Sequence, residues 1–332
     1  MLAPIAEADP SERSLLRLGL AAASSYPRFV ADLREGSGLD PGYLPCGTLL
    51  VARDGDEAEA LERELDMRLE LGLSVRRIRA TEARRLEPAL APSIRLGLEI
   101  PDDHAVDPRR LTAALSAAVR VAGGVLRGGT EVVEVEIEAG RAAGVLLAGG
   151  ERLRSGAVAI AAGPWSGSVG GIPPHACVPV RPVKGQILRM HDPAGPGLLT
   201  RVLRMATGYV VPRGDGRYVL GATMEERGFD TTVTAGAVFE LLRNAGELLP
   251  GLTELVIDEL SAGLRPATPD NAPVIGEGAV PGLLWATGHH RNGVLLAFET
   301  AELVAGLLTG APLSELAPEF SPRRFADVRA AV

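Results

Sequence analysis

The chain has 332 residues, 46% hydrophobic and 23% charged, with 40 glycines and 25 prolines. That is about two domains of chain, too apolar for disorder and turn-rich enough for an α/β enzyme. A net charge of −8 excludes a nucleic-acid footprint, and no run approaches the length of apolar sequence that spans a membrane.

The first apolar stretch, 15–25, has the length of a signal-peptide core, but Glu7, Asp9 and Glu12 stand where a basic region would be. Asp9-Pro10-Ser11-Glu12 reads instead as a helix start, with Asp9 capping, Pro10 in the first turn and Glu12 reaching back. A soluble cytoplasmic protein is expected. Helical periodicity runs over 10–33, 57–71, 107–122, 235–249 and 294–308. Strands are expected over 47–52, 95–100, 125–135, 142–147, 157–162, 179–190, 209–211, 217–222 and 283–287. Cys46 and Cys177 are far apart and outside any C-x-x-C, so a disulfide scaffold and a zinc site are both poor fits. Lys184 is the only lysine.

Residues 105–165 and 270–310 alternate strand and helix, as a parallel sheet with covering helices would. Residues 47–100 and 175–260 carry the longer strands of an antiparallel sheet. Each texture recurs on both sides of the other, which predicts two interleaved domains. The expected fold class is α/β plus α+β, with 1–46, 101–172 and 256–332 in one domain and 47–100 and 173–255 in the other.

Four segments carry chemical information. In Trp285-Ala286-Thr287-Gly288-His289-His290-Arg291-Asn292-Gly293-Val294-Leu295 a buried strand passes through a glycine-bounded loop into a helix start, whose unpaired N–H groups favour an anion. An ordinary βα turn accounts for it equally well. Ala161-Ala162-Gly163 ends a strand without bulk, so a flat group can approach, although many buried strands end in glycine. Arg265, in Ala262-Gly263-Leu264-Arg265-Pro266, is poorly placed for a solvated charge; it suits either a bidentate grip on a carboxylate or a structural ion pair. The hairpin Tyr209-Val210-Val211-Pro212-Arg213 to Gly221-Ala222-Thr223-Met224 brings Tyr209 and Met224 toward one site, with Met224 alone reading as core filler.

Together with Arg181-Pro182-Val183-Lys184-Gly185-Gln186 and Asp103-His104-Ala105-Val106-Asp107-Pro108, these segments, in this order, resemble the glycine oxidase branch of the D-amino-acid-oxidase-like flavoenzymes, which serves thiamine biosynthesis. The resemblance covers essentially the whole chain. It implies FAD as cofactor, a Rossmann-like FAD-binding domain (the first group of segments above) and a substrate domain (the second). It implies Arg265 as the grip on the substrate carboxylate, Tyr209 as its helper, Met224 crowding the pocket near Cα, and Arg291 as a second arginine near carboxylate and flavin. His289, His290, Arg291, Asn292, Gly293, Val294 and Leu295 match the loop facing the flavin ring, Met1 the flavin-side loop, Gly163 the strand end and Val132 a backbone contact to the adenine. Thr207 stands where some relatives have histidine.

The implied reaction is oxidation of glycine or a small amine or D-amino acid, with oxygen as electron acceptor and no metal. Homo-oligomerisation stays open. Rival readings are a D-amino-acid, sarcosine or proline-type oxidase or dehydrogenase, and an inactive remnant. The family's opening G-x-G-x-x-G segment, which holds the ADP half of FAD, has no counterpart here; Gly36-Ser37-Gly38 lacks the third glycine and follows a helix. The expectation is therefore an absent N-terminal βαβ piece and weak FAD binding by these 332 residues alone.

Overall fold

The computed structural model describes residues 1–325; the end of the domain expected over 256–332 lies outside them. The elements in chain order are α1 (Arg13–Ser37), β1 (Tyr43–Leu44), β2 (Thr48–Ala52), α2 (Gly55–Glu70), β3 (Arg76–Arg79), α3 (Ala80–Leu86), β4 (Leu96–Ile100), β5 (Ala105–Val106), α4 (Pro108–Val121), β6 (Val132–Glu138), β7 (Arg141–Leu147), β8 (Arg152–Arg154) and β9 (Val158–Ile160). They continue with β10 (Arg181–His191), β11 (Val202–Met205), β12 (Gly208–Pro212), β13 (Arg217–Gly221), α5 (Ala235–Leu248), β14 (Val256–Ala267), β15 (Val274–Glu277), β16 (Leu283–Thr287) and α6 (Ala297–Thr309).

The chain packs into two compact units. The first comprises Met1–Gly123, Lys184–Glu225 and Asp230–Gly263; the second comprises Gly124–Val183, Glu226–Phe229 and the described residues from Leu264 onward. Each unit is thus assembled from separated stretches of chain, and 1–46 with the stretch up to Gly123 lies in the unit of the large sheet.

The first unit is built on the eight-stranded sheet β14-β10-β13-β12-β11-β2-β4-β3, in which β10–β13, β13–β12, β12–β11, β2–β4 and β4–β3 pair antiparallel and β11 and β2 pair parallel. Side chains alternate across it as the pleat requires. One face presents Leu188, Leu220, Val210, Leu203 and Leu49 to α5 and α3, closed by Leu241, Ala245 and Leu248. The opposite face carries Leu50, Leu98 and Ile100 under α2 and the N-terminal residues Ala3, Ile5 and Ala6.

Helix starts follow local capping chemistry. The Asp54 carboxylate accepts from Glu57 N, Asp107 from Arg109 N and the Thr234 hydroxyl from Ala237 N. The start of α1 differs from expectation. Asp9 spends its carboxylate on Ser11 N at 2.8 Å in a short turn, and the helix begins at Arg13 with no side-chain cap. A carboxylate two residues from an N–H closes an Asx turn more readily than it caps across a proline.

The second unit holds two three-stranded sheets, β15-β16-β9 and β6-β7-β8. In the former, β9 and β16 are parallel, with Leu283 opposite Val158 and Trp285 opposite Ile160. Trp285, Leu283, Val274 and Ile160 fill the core behind them. The strand expected over 125–135 forms only from Val132. Val125 is 84% exposed and Gly129 takes φ 67°, so the apolar residues before Val132 have nothing to pair with.

Candidate active site

Parallel strands aim their carboxyl ends at one edge, and in open α/β sheets ligands bind along that edge. Here the edge is formed by the residues after β9 and β16, Ala161-Ala162-Gly163 and Gly288-His289-His290. A hydroxyl relay ties the two ends together: Ser166 Oγ donates to Thr287 Oγ1 at 2.7 Å, and Thr287 Oγ1 to the Gly163 carbonyl at 3.1 Å. Gly163 has φ 53°, and a Cβ built there would meet nothing within 4 Å. Its open side is thus a flat approach to the strand end. Gly288 is the opposite case: φ is 75° and a Cβ would fall 2.6 Å from Thr268 Cγ2, so this glycine lets the loop pass against β14.

The loop is then pinned to the arginine strand. His290 N donates to the Pro266 carbonyl at 2.7 Å, which brings the 288–293 loop against Arg265-Pro266 at the end of β14. Two histidines follow. His289 is buried, its Nε2 2.9 Å from the Thr300 hydroxyl on α6, and burial pushes its pKa down to about 4. His290, at φ 46°, is held down to about 4 by burial and then by the guanidinium groups of Arg291, Arg265 and Arg181. Its Nε2 is buried and has no hydrogen-bond partner among the described residues. A buried nitrogen left unmatched costs free energy unless something else completes it. A neutral imidazole in the positive field of Arg291 and Arg265 is favourable ground for a carboxylate or an electron-rich ring edge.

The helix after this loop begins later than expected. Leu296 N bonds to Asn292 O and α6 proper starts at Ala297, so Gly293, Val294 and Leu295 form a preliminary turn. Arg291 is exposed; Asn292, Gly293 and Val294 are half-buried; Leu295 is buried.

The structure therefore assembles Gly163, Arg265 and the loop from His289 to Leu295 in the second unit. Val132, 41% exposed, starts β6 in the other sheet of that unit. Tyr209, Met224 and Met1 belong to the first unit. Tyr209 faces Gly221 across β12 and β13; a Cβ on Gly221 would lie 3.0 Å from the Tyr209 hydroxyl, so the ring needs that glycine. Met224 is 61% exposed, three residues past the end of β13. Met1 is half-buried beside Leu2, which pairs with His104. Sequence reading missed Ser166, Thr287 and Thr300. A hydroxyl in a short helical turn (Ser166), at a strand end (Thr287) or within a helix (Thr300) gives no signal until its partner is known, and for Ser166 and Thr287 that partner is 121 residues away.

Among the described residues no cluster of three metal-ligating side chains occurs, and no helix is long and apolar enough to cross a membrane. The orphaned His290 Nε2, the open face of Gly163 and the positive field of the arginines fit the ring end of a flavin, an electron-rich polar heterocycle with acceptor atoms along one edge.

A parallel-strand edge with a glycine approach and convergent guanidinium groups defines a site of the flavoenzyme class. The chain belongs to the FAD dependent oxidoreductase family, whose model matches residues 1–307. It is 32% identical to the bifunctional protein ThiO/ThiG of Trichormus variabilis over 98% of this chain and 48% of that protein. The chain spans about half the length of the first curated relatives it matches. Its fold superposes on a crystal structure of glycine oxidase from Geobacillus kaustophilus with a TM-score of 0.89 at 32% identity, covering 97% of this chain and 86% of that one. Iminodiacetate oxidase (IdaA) from Chelativorans sp. BNC1 gives a TM-score of 0.85 at 30% identity, covering 97% and 87%. The resemblance read from the sequence motifs is thus to the family in which the chain belongs, and FAD is the cofactor of that family.

Proposed function

We propose that the protein catalyses oxidative deamination of glycine or another small amine or D-amino acid. The amino acid loses two electrons and two protons to become an imine, and water then releases the 2-oxo acid and ammonia. Oxygen takes up the electrons and protons as hydrogen peroxide, and the product serves thiamine thiazole synthesis. FAD, when bound, supplies the acceptor for the hydride that leaves Cα.

The chain's own residues bind and orient. Arg265 grips the carboxylate through a charge-assisted pair, with Tyr209 assisting and Arg291 adding positive charge near carboxylate and flavin. Met224 limits the bulk allowed beside Cα. His289 through Leu295, with Met1, Gly163 and the Val132 backbone, are the cofactor contacts, and 1–46, 101–172 and 256–332 the cofactor domain. Positive charge about the loop also disfavours a bound ammonium, so the substrate is held with the neutral amine from which hydride can depart. No general base is required, which suits a loop whose histidines are both depressed to about 4.

The observation that supports this reading most is His290 Nε2, buried and unmatched within reach of the fields of Arg265 and Arg291. Oxygen uptake and peroxide release with glycine, D-alanine, sarcosine, D-proline and iminodiacetate, on protein whose flavin content is measured, test it directly. Arg265→Ala is expected to raise KM about 100-fold, from loss of a pair worth about 3 kcal/mol; an unchanged KM would move the carboxylate grip to Arg291. A second reading, a dicarboxylic amine as substrate, is favoured by the likeness to iminodiacetate oxidase. It predicts a better kcat/KM for iminodiacetate than for glycine.

A further inference from the structure

Lys184, the chain's single lysine, is among its most deeply buried side chains, 1% exposed on β10. Burying an ammonium is costly unless it is paired. Its Nζ donates to Asp230 Oδ2 at 2.8 Å and lies 3.9 Å from Glu225 Oε2. Its backbone also exchanges both hydrogen bonds with Glu225, at 2.9 and 3.0 Å. One strand repeat on, the equally buried Gln186 accepts from Thr234 N at 2.8 Å and donates to Glu225 Oε1 at 2.7 Å. Its backbone N donates to the Thr223 hydroxyl at 2.9 Å, and that hydroxyl donates to Glu225 Oε1 at 2.6 Å.

Two neighbouring side chains therefore tie down the segment from Thr223 to Thr234 at its start, near its middle and at its end. Residues 226–229 between the ties are exposed, and Met224 sits between two anchored neighbours, Thr223 and Glu225. A segment held by apolar packing would resist opening. This one is held by an ammonium inside and by carboxylates that are part-exposed, 24% for Glu225 and 39% for Asp230. Two outer contacts accompany this latch, the Arg181–Glu226 ion pair at 2.6 Å and the stack of Phe229 on Trp165 at 6.1 Å, and both leave their side chains largely exposed.

We propose that Lys184 is a positioning residue: with Asp230 it latches the 223–234 segment and thereby sets where Met224 stands and how large a substrate the enzyme accepts. The selectivity part rests on the reading of Met224 given above, whereas the latch does not.

Lys184 is the only lysine of these 332 residues, and mapping the label to its own peptide makes the test specific. On the full-length holoprotein, an amine-reactive ester followed by mass spectrometry reads exposure of Lys184, and limited trypsin cleavage after the exposed Arg227 reads opening of the segment. Asp230→Asn is expected to accelerate both by about 5-fold or more through local opening. It should also change the ratio of kcat/KM for glycine over D-alanine by about 3-fold or more, a fraction of the roughly 10–200-fold by which a fitted pocket discriminates one methylene. Flavin content should not move, and Asp230→Glu should restore protection and selectivity together. Unaltered labelling and cleavage in Asp230→Asn would overturn the proposal, as would an opened segment with unaltered selectivity. The labelling and cleavage arms need no turnover. A wild-type protein that oxidises none of these amino acids would sink the functional reading while those arms still decide the latch.

Discussion

His289 and His290 are adjacent in sequence yet answer to different surroundings. His289 Nε2 meets the Thr300 hydroxyl inside the protein, whereas His290 Nε2 has no hydrogen-bond partner among the described residues. Both are neutral at physiological pH, because burial depresses each to about 4 from an ordinary 6.5. The unfolded chain takes up these protons first as pH falls. Their stabilising contribution is therefore complete above 6.5 and is lost as pH drops through 4. The buried Asp103, raised to about 7, acts with the opposite sign: its contribution is complete below 3.8 and lost as pH rises through 7. A whole-protein profile mixes these effects, so the informative quantity is a difference. His289→Gln keeps a partner for Thr300 and cannot titrate. The wild type's stability relative to this variant should fall between pH 6.5 and 4 by up to about 1.4 kcal/mol per pH unit, measured by urea unfolding. A difference flat with pH would mean that His289 keeps its ordinary pKa. Gly163 offers a second single-residue test. With φ 53° and nothing within 4 Å of a built Cβ, Gly163→Ala should cost about 1–2 kcal/mol through left-handed strain alone. If the flavin ring lies on its open side, flavin content after purification should drop far more than that stability loss accounts for. A fully flavinated, folded Gly163→Ala protein would remove Gly163 from the cofactor contacts.

Elements were legible where a local pattern is enough. The helical spacing of apolar residues marks α2, α4 and α5, whose caps Asp54, Asp107 and Thr234 agree with it in the structure, and the apolar run before Gly288 marks β16. Long-range determinants hid the others. β14 has exposed and half-buried positions in no period-2 order, so nothing in Val256–Ala267 marks a strand except the neighbour it pairs with. β3 reads Arg76-Arg77-Ile78-Arg79, with one buried side chain to declare it. The site divides the same way. Arg265 and the glycine-bounded loop carry their chemistry locally, but the Ser166–Thr287–Gly163 relay exists only once β9 and β16 are paired. The N-terminal segment is a further long-range case. Asp103 accepts from Ile5 N at 3.1 Å and Ala6 N at 2.6 Å, and Arg68, 2% exposed, donates to the carbonyls of the same two residues at 2.9 and 2.7 Å. An acid and a base from distant elements thus satisfy four backbone groups that no strand or helix serves. Asp103→Ala leaves two buried N–H groups unmatched and should destabilise the protein by about 3 kcal/mol, while Asp103→Asn, which keeps one acceptor, should cost about half as much. A loss under about 1 kcal/mol for Asp103→Ala would show that packing of Ile5 and Ala6, not the clamp, holds the segment.

The whole molecule is two packing units threaded by one chain that passes between them after Gly123, Val183, Glu225, Phe229 and Gly263. With that many crossings neither unit is a contiguous stretch able to come apart by itself. Loss of structure in one also relaxes the loop closures of the other, which favours a single cooperative transition over two. The sequence has placed separate reporters for this. Both tryptophans, Trp165 and Trp285, lie in the second unit, and all four tyrosines, Tyr26, Tyr43, Tyr209 and Tyr218, lie in the first. Trp285 is wholly buried and Tyr26 and Tyr218 nearly so, so each unit's unfolding changes its own chromophore. Tryptophan fluorescence and tyrosine absorbance should therefore give coincident melting curves. Added FAD at about 100 times its Kd should move both together, by about 2.7 kcal/mol, because a ligand that binds only the folded state stabilises whatever unfolds with its site. If FAD shifts the tryptophan curve and leaves the tyrosine curve in place, the units unfold independently and the loop 288–295 draws its stability from the second unit alone. If neither curve moves while the protein stays folded, these residues do not hold the cofactor as proposed.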